Sequence, residues 1–161
     1  MSFFRKLLHR FRRVDNGKNP LPTRDLKLRY KLSPANGKLF AIQFATFIKQ
    51  NMNIELDYSV KSLRFVDAFL LQFSNEGFTV NDFAEVIFTA GCYTGEVMVR
   101  NNKGKWTTPH AIGVPETGAT DIIVQLPNGY VVDPIVKAFK RFSFGQGEEI
   151  VCFYSVFTGL N

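Results

Sequence analysis

Hydrophobic and polar residues alternate in several distinct rhythms along this chain. Residues 3–13, FFRKLLHRFRR, place Phe3, Phe4, Leu7, Leu8 and Phe11 at helical spacing, with Arg5, Lys6, His9, Arg10, Arg12 and Arg13 at the remaining positions. The pattern predicts a basic amphipathic helix that packs on its own domain, docks on a partner or lies on a membrane surface. The run Asp15-Asn16-Gly17-Lys18-Asn19-Pro20-Leu21-Pro22 breaks it and reads as a linker. Ser33-Pro34 offers an N-cap followed by a proline at the first helical position, and Leu39, Phe40, Ile42, Phe44, Phe47 and Ile48 give an apolar face that predicts a helix over 38–52. Val60, Leu63, Val66, Phe69, Leu70 and Phe73 form the stripe of a second helix over 59–73, stopped by Asn75-Glu76-Gly77. Thr79 and Asp82 have the spacing of a capping box, with Asp in place of the usual Glu, and Phe78 and Phe83 sit at the staple positions around it. The third helix then runs to about Arg100, before Asn101-Asn102-Lys103-Gly104.

The period changes after that point. Lys105–Ile112 reads as a strand broken by Pro109, and residues 122–132 read as a hairpin turning at Asn128-Gly129, a dipeptide suited to two positive-φ positions. Asp133-Pro134 opens a short helix with Ile135, Val136, Phe139 and Phe142 facing inward and Lys137, Lys140 and Arg141 outward. Gly145 and Gly147 end it. Ile150–Phe157 is apolar on every side, a buried helix or a buried strand, which periodicity does not separate. Helices first and a small antiparallel sheet later make the fold class α+β: two to three packed helices, the 122–132 hairpin and short C-terminal helices.

Composition and charge refine this outline. The 161 residues suit one domain, and 17 Phe supply the bulk of a core. Residues 1–31 hold ten Lys/Arg against two acids, whereas residues 32–161 hold ten against twelve. The net charge of +6 therefore belongs to a leader and linker over 1–31, and the body over 32–161 is close to neutral. A protein that tracks nucleic acid spreads its cations over a face of the fold, so this asymmetry argues against nucleic acid. Two cysteines make no disulfide framework, and residues 3–11 have no uninterrupted apolar stretch of the kind a signal peptide needs. The expected compartment is the cytoplasm, with peripheral membrane attachment through the leader as an alternative.

Candidate chemistry is sparse. No phosphate-binding loop, dinucleotide fingerprint, zinc-protease helix or nucleophile elbow is present, so no cofactor and no metal is expected. Cys92, His110 and Asp133 occur in the chain order of papain-like thiol hydrolases, but Cys92 falls deep inside a helix, where the dipole does not help form a thiolate. Gly91 and Gly95 lie on one helical face and each costs about 1 kcal/mol against Ala, which close packing or a resting ligand has to offset. Glu96 is spaced to pair with Arg100, and if buried it needs a donor such as the indole N–H of Trp106.

The segment Leu56-Asp57-Tyr58-Ser59-Val60-Lys61-Ser62-Leu63, the Ser62–Leu70 stretch and the Gly91-Cys92-Tyr93-Thr94-Gly95-Glu96 core followed by Trp106 resemble a family of bacterial proteins whose domain has no assigned function. The resemblance covers residues 54–135 and implies bacterial origin and a helix–helix–sheet order. It implies no activity and no catalytic residue.

The sequence leaves two functions of different kinds, and a third of lesser weight. One is a non-enzymatic interaction module, of the sort an immunity or accessory factor provides, binding a partner protein through Gly91, Gly95, Glu96 and Trp106 or through the leader. The second is a peripheral protein whose leader residues Phe3, Phe4, Arg5, Lys6, Leu7, Leu8, Arg10, Phe11, Arg12 and Arg13 lie on anionic lipid. The third is a cysteine hydrolase. Partner identity and oligomeric state stay open.

Overall fold

The computed structural model describes residues 19–115 and 121–159. The amphipathic leader over 3–13 and most of the 115–120 loop lie outside the described residues. Five α-helices and one three-stranded antiparallel sheet make up the described fold: α1 Gly37–Met52, α2 Leu63–Asn75, α3 Val80–Asn102, β1 Lys105–Thr107, β2 Ile123–Gln125, β3 Val131–Val132, α4 Pro134–Phe144 and α5 Ile150–Thr158. It is an α+β fold.

Helix α3 is the axis of the molecule. Residues 87–98 are buried without interruption, so this stretch has no solvent face, as expected of a helix enclosed on all sides. Helices α1 and α4 pack along α3, and α2 and α5 close the remaining sides. The start of α3 is set by the capping box: the Thr79 hydroxyl accepts from the Asp82 amide at 3.2 Å, and the Asp82 carboxylate accepts from the Thr79 amide at 3.3 Å. Phe78 and Phe83 meet across the cap with centroids 5.2 Å apart, completing the staple. Lys103 ends the helix in the left-handed conformation.

The sheet is ordered β1-β2-β3, with Trp106 opposite Val124 and Val124 opposite Val132. Strand β1 is shorter than the 105–112 run suggests. It stops at Thr107, and His110–Ile112 form a 3-10 turn after Pro109, which adopts a helical φ and ψ. The hairpin also turns differently from a two-residue Asn-Gly turn. Leu126 and Tyr130 pair across a three-residue loop, with Pro127 and Asn128 at the centre and Gly129 alone at positive φ, the arrangement of a type I turn followed by a bulge. Pro127 causes this by presetting the first turn position at negative φ.

Residues 19–32, which include the last part of the segment read as leader and linker, lie as an extended strap against the body. The Arg24 guanidinium grips Glu85 with two bonds of 2.7 and 2.8 Å and also donates to the Asn81 carbonyl. The Lys27 amide donates to the same carboxylate at 2.9 Å, and Leu26, Leu28, Tyr30 and Leu32 pack on the core.

The short helices overturn one expectation. Lys140 and Arg141, read as outward-facing, are only 5% and 6% exposed. For Arg141 the reason is α2, which packs on α4 and supplies the Asp67 carboxylate. Arg141 reaches the Asp67 carboxylate at 3.2 Å and donates to the Gly145 carbonyl, and Lys137 pairs with the buried Glu148. Asp67, from α2, also accepts the first two amides of α5, Ile150 at 2.6 Å and Val151 at 2.9 Å. A carboxylate distant in sequence thereby caps the last helix, where an anion meets the positive end of the helix dipole. Helix α5 itself is not buried all round, since Cys152 and Val156 are exposed.

Candidate functional site

The glycines of α3 define where the site sits. A Cβ placed on Gly91 would lie 2.5 Å from the Ile135 Cα, so this glycine lets the first turn of α4 approach α3 backbone to backbone. A Cβ on Gly95 would lie 2.3 Å from the Trp106 ring, and one on Gly37, at the start of α1, 2.5 Å from the same ring. The indole is thus held between two bare backbone positions on different helices. Close packing occupies the glycine face.

That seat aims the indole N–H at Glu96. Trp106 Nε1 donates to Glu96 Oε2 at 3.0 Å, while Arg100 Nε donates to Oε1 at 3.1 Å, so both donors suggested by the sequence are used. Glu96 is 5% exposed and would be costly to bury without them. Beyond this pair, the Arg100 guanidinium lies 3.7 Å from the centroid of the Tyr58 ring, and Tyr58 stacks on Tyr93 at 4.8 Å. Burial raises the pKa of both phenols, keeping them neutral at physiological pH.

Tyr58 is held in an unusual conformation, with φ at 61°. A bulky side chain in the left-handed region costs on the order of 1–3 kcal/mol and persists only where its surroundings fix it. Three contacts do so. The Tyr58 amide donates to the Tyr93 hydroxyl at 2.9 Å, its carbonyl accepts from Asn101 Nδ2 at 2.8 Å, and the Tyr93 hydroxyl is itself bonded to Ser62 Oγ at 2.7 Å. Asp57 and Ser59 shape the flanks, the first accepting from the Ser59 amide and the second capping the turn over Val60–Ser62.

The product is a preorganised cation. The Arg100 side chain is 45% exposed, fixed on one side by Glu96 and over one face by Tyr58, and its two terminal nitrogens bond to no acceptor among the described residues. Such a fork suits a planar oxyanion.

The remaining candidates do not meet. Cys92 is fully buried in α3, and burial first, then the charges of Asp133 and Glu96, raise its thiol pKa well above the ordinary value. His110 is exposed in the turn after β1, and Asp133 accepts from the Ile135 and Val136 amides as the cap of α4. A thiolate beside an imidazole is not what this arrangement builds. Among the described residues no group of His, Cys, Asp and Glu is placed to hold a metal ion. Gly91, Gly95, Glu96 and Trp106 do come together. Sequence reasoning named Arg100 only as a partner for Glu96 and passed over Tyr58 as a site residue, because nothing in residues 56–60 signals a left-handed tyrosine.

No family model, curated protein or solved structure matches the chain.

Proposed function

We propose that this protein is an interaction module without catalytic activity, which binds an acidic surface of a partner protein through Arg100 and Tyr58. The observation that supports this reading is the fixed guanidinium: stacked on a strained tyrosine, braced by a buried glutamate, and half-exposed with its terminal nitrogens unused. Arg and Tyr are the residue types that dominate binding energy at protein interfaces, and a side chain already held in place gives up little entropy on binding. The bacterial setting and the comparison with immunity or accessory factors rest on the sequence resemblance and belong to this same proposal.

The test is affinity capture with full-length protein and Arg100→Ala as parallel baits. One protein retained in stoichiometric amount by the first bait and lost from the second, with Arg100→Ala still folded by circular dichroism though less stable because Glu96 keeps only the Trp106 donor, is the expected result. Equal retention by both baits would remove Arg100 from the function.

Peripheral membrane attachment is a second proposal, favoured by the sequence pattern of residues 3–13 alone. No helix among the described residues is long and apolar enough to cross a membrane. Binding to phosphatidylserine vesicles that disappears at high salt and in Phe4→Glu would support it.

A further inference from the structure

The turn between α2 and α3 carries three phenylalanine rings in mutual contact: Phe73 to Phe78 at 5.5 Å, Phe73 to Phe83 at 5.0 Å and Phe78 to Phe83 at 5.2 Å. The staple explains why Phe78 and Phe83 meet, but Phe78 is still 42% exposed and its two neighbours are only partly buried. The rim of this patch is acidic. Glu76 and Asp82 are exposed and take part in no ion pair among the described residues. Of the five acids in residues 65–99, Asp67, Glu85 and Glu96 are paired with Arg141, Arg24 and Arg100, which leaves Glu76 and Asp82 as the open carboxylates of the rim.

The strap brings the start of the described chain to this same corner. The Thr23 amide donates to Asn81 Oδ1 at 2.9 Å, beside Asp82. The Pro20 carbonyl accepts from Ser143 Oγ at 3.2 Å, and the adjoining Phe142 stacks on Phe83 at 6.3 Å. The residues preceding Asn19 are the most basic in the sequence, with six Lys/Arg and one acid in 1–18, and they carry Phe3, Phe4, Leu7, Leu8 and Phe11. The roughly nine residues from Phe11 to Pro20 span up to about 30 Å when extended, ample for the leader to return to the patch.

The geometry points to the Phe73–Phe78–Phe83 patch as a docking site for the chain's own residues 3–13, whose apolar side chains cover the exposed ring while their cations face Glu76 and Asp82. This inference is independent of the Arg100 surface. The short tether supplies an effective concentration in the millimolar range, so weak contacts suffice. Charge steers the segment and weakens with salt, whereas the aromatic contact does not.

The experiment is solution NMR on the full-length chain, comparing wild type with Phe4→Glu, Phe11→Glu and Phe78→Ser. Substitutions in the leader should move the amide resonances of Gly77, Phe78, Thr79 and Asp82, and Phe78→Ser should in turn move those of residues 3–13, with all shifts unchanged on 100-fold dilution. Resonances of residues 76–83 that ignore both leader substitutions would overturn the proposal. So would shifts that fade on dilution, which identify a second copy as the occupant, or leader shifts that respond only to added phosphatidylserine vesicles, which identify lipid.

Discussion

Gly91 and Gly95 show how single residues position this site. The first lets a backbone in and the second seats an indole, so their substitution by alanine separates two kinds of crowding. At Gly91 the added methyl group meets the Ile135 Cα at 2.5 Å, and main chain has little freedom to yield. Gly91→Ala is expected to destabilise by about 3 kcal/mol or more, read from denaturant unfolding. At Gly95 the obstacle is the Trp106 ring, so Gly95→Ala should displace the chain's single indole from Glu96 and change its fluorescence. Unaltered emission would mean that the ring is not seated there. At this scale the sequence was informative wherever chemistry is local. Glu96 with two prospective donors, the Thr79 cap and the Asp133 cap could each be read from spacing. The left-handed Tyr58 could not, because its conformation depends on Tyr93 and Asn101, which lie 35 and 43 positions away.

Helix α5 and the strap illustrate the limit at the scale of elements. Periodicity and capping located four of the five helices among the described residues and left Ile150–Phe157 open between helix and strand; there Asp67 on α2 accepts the first two amides. It also placed Lys140 and Arg141 outward, because one helix read alone carries no sign that another will fold over its polar face. Removing the cap with Asp67→Ala leaves Arg141 buried without its main partner, and should cost about 3–5 kcal/mol, with α5 amides losing hydrogen-exchange protection first. Asp67→Asn keeps an acceptor and should cost less. The strap offers a pH test. Arg24 chiefly, by hydrogen bonding, pushes the Glu85 pKa down to about 2, below the ordinary value of 4.5. A depressed carboxylate stabilises the fold above its ordinary pKa, and that stabilisation is lost as pH falls from about 4.5 toward 2. Protection of the Lys27 amide should decline through that window, and Glu85→Gln should remove the decline. Asp67 acts in the opposite sense: burial raises its pKa, so the folded chain binds this proton more readily and its contribution weakens as pH rises through the raised value.

For the whole molecule, the core and the surface lead to different conclusions. The α3 axis, the helices around it and the small sheet follow from hydrophobic pattern and capping, and the α+β class was legible before any coordinates. Function was not, because the groups that stand out in the sequence are few and, among the described residues, Cys92, His110 and Asp133 do not meet. What the fold adds is a cation held in place at one end of the central helix and an acid-rimmed aromatic patch at the other. Phe83 and Arg100 lie near opposite ends of α3, about 25 Å apart along its axis at 1.5 Å per residue. That separation lets the two surfaces be tested independently.

The most direct test of the interaction proposal is the dissociation constant of the captured partner for wild type and for Arg100→Lys. Lysine keeps the charge but loses the planar fork and the stacking on Tyr58, so affinity should fall at least about tenfold while the unfolding midpoint stays in place. An unchanged dissociation constant would show that a generic positive charge suffices, and would contradict the claim that Tyr58 and Glu96 hold this guanidinium for recognition.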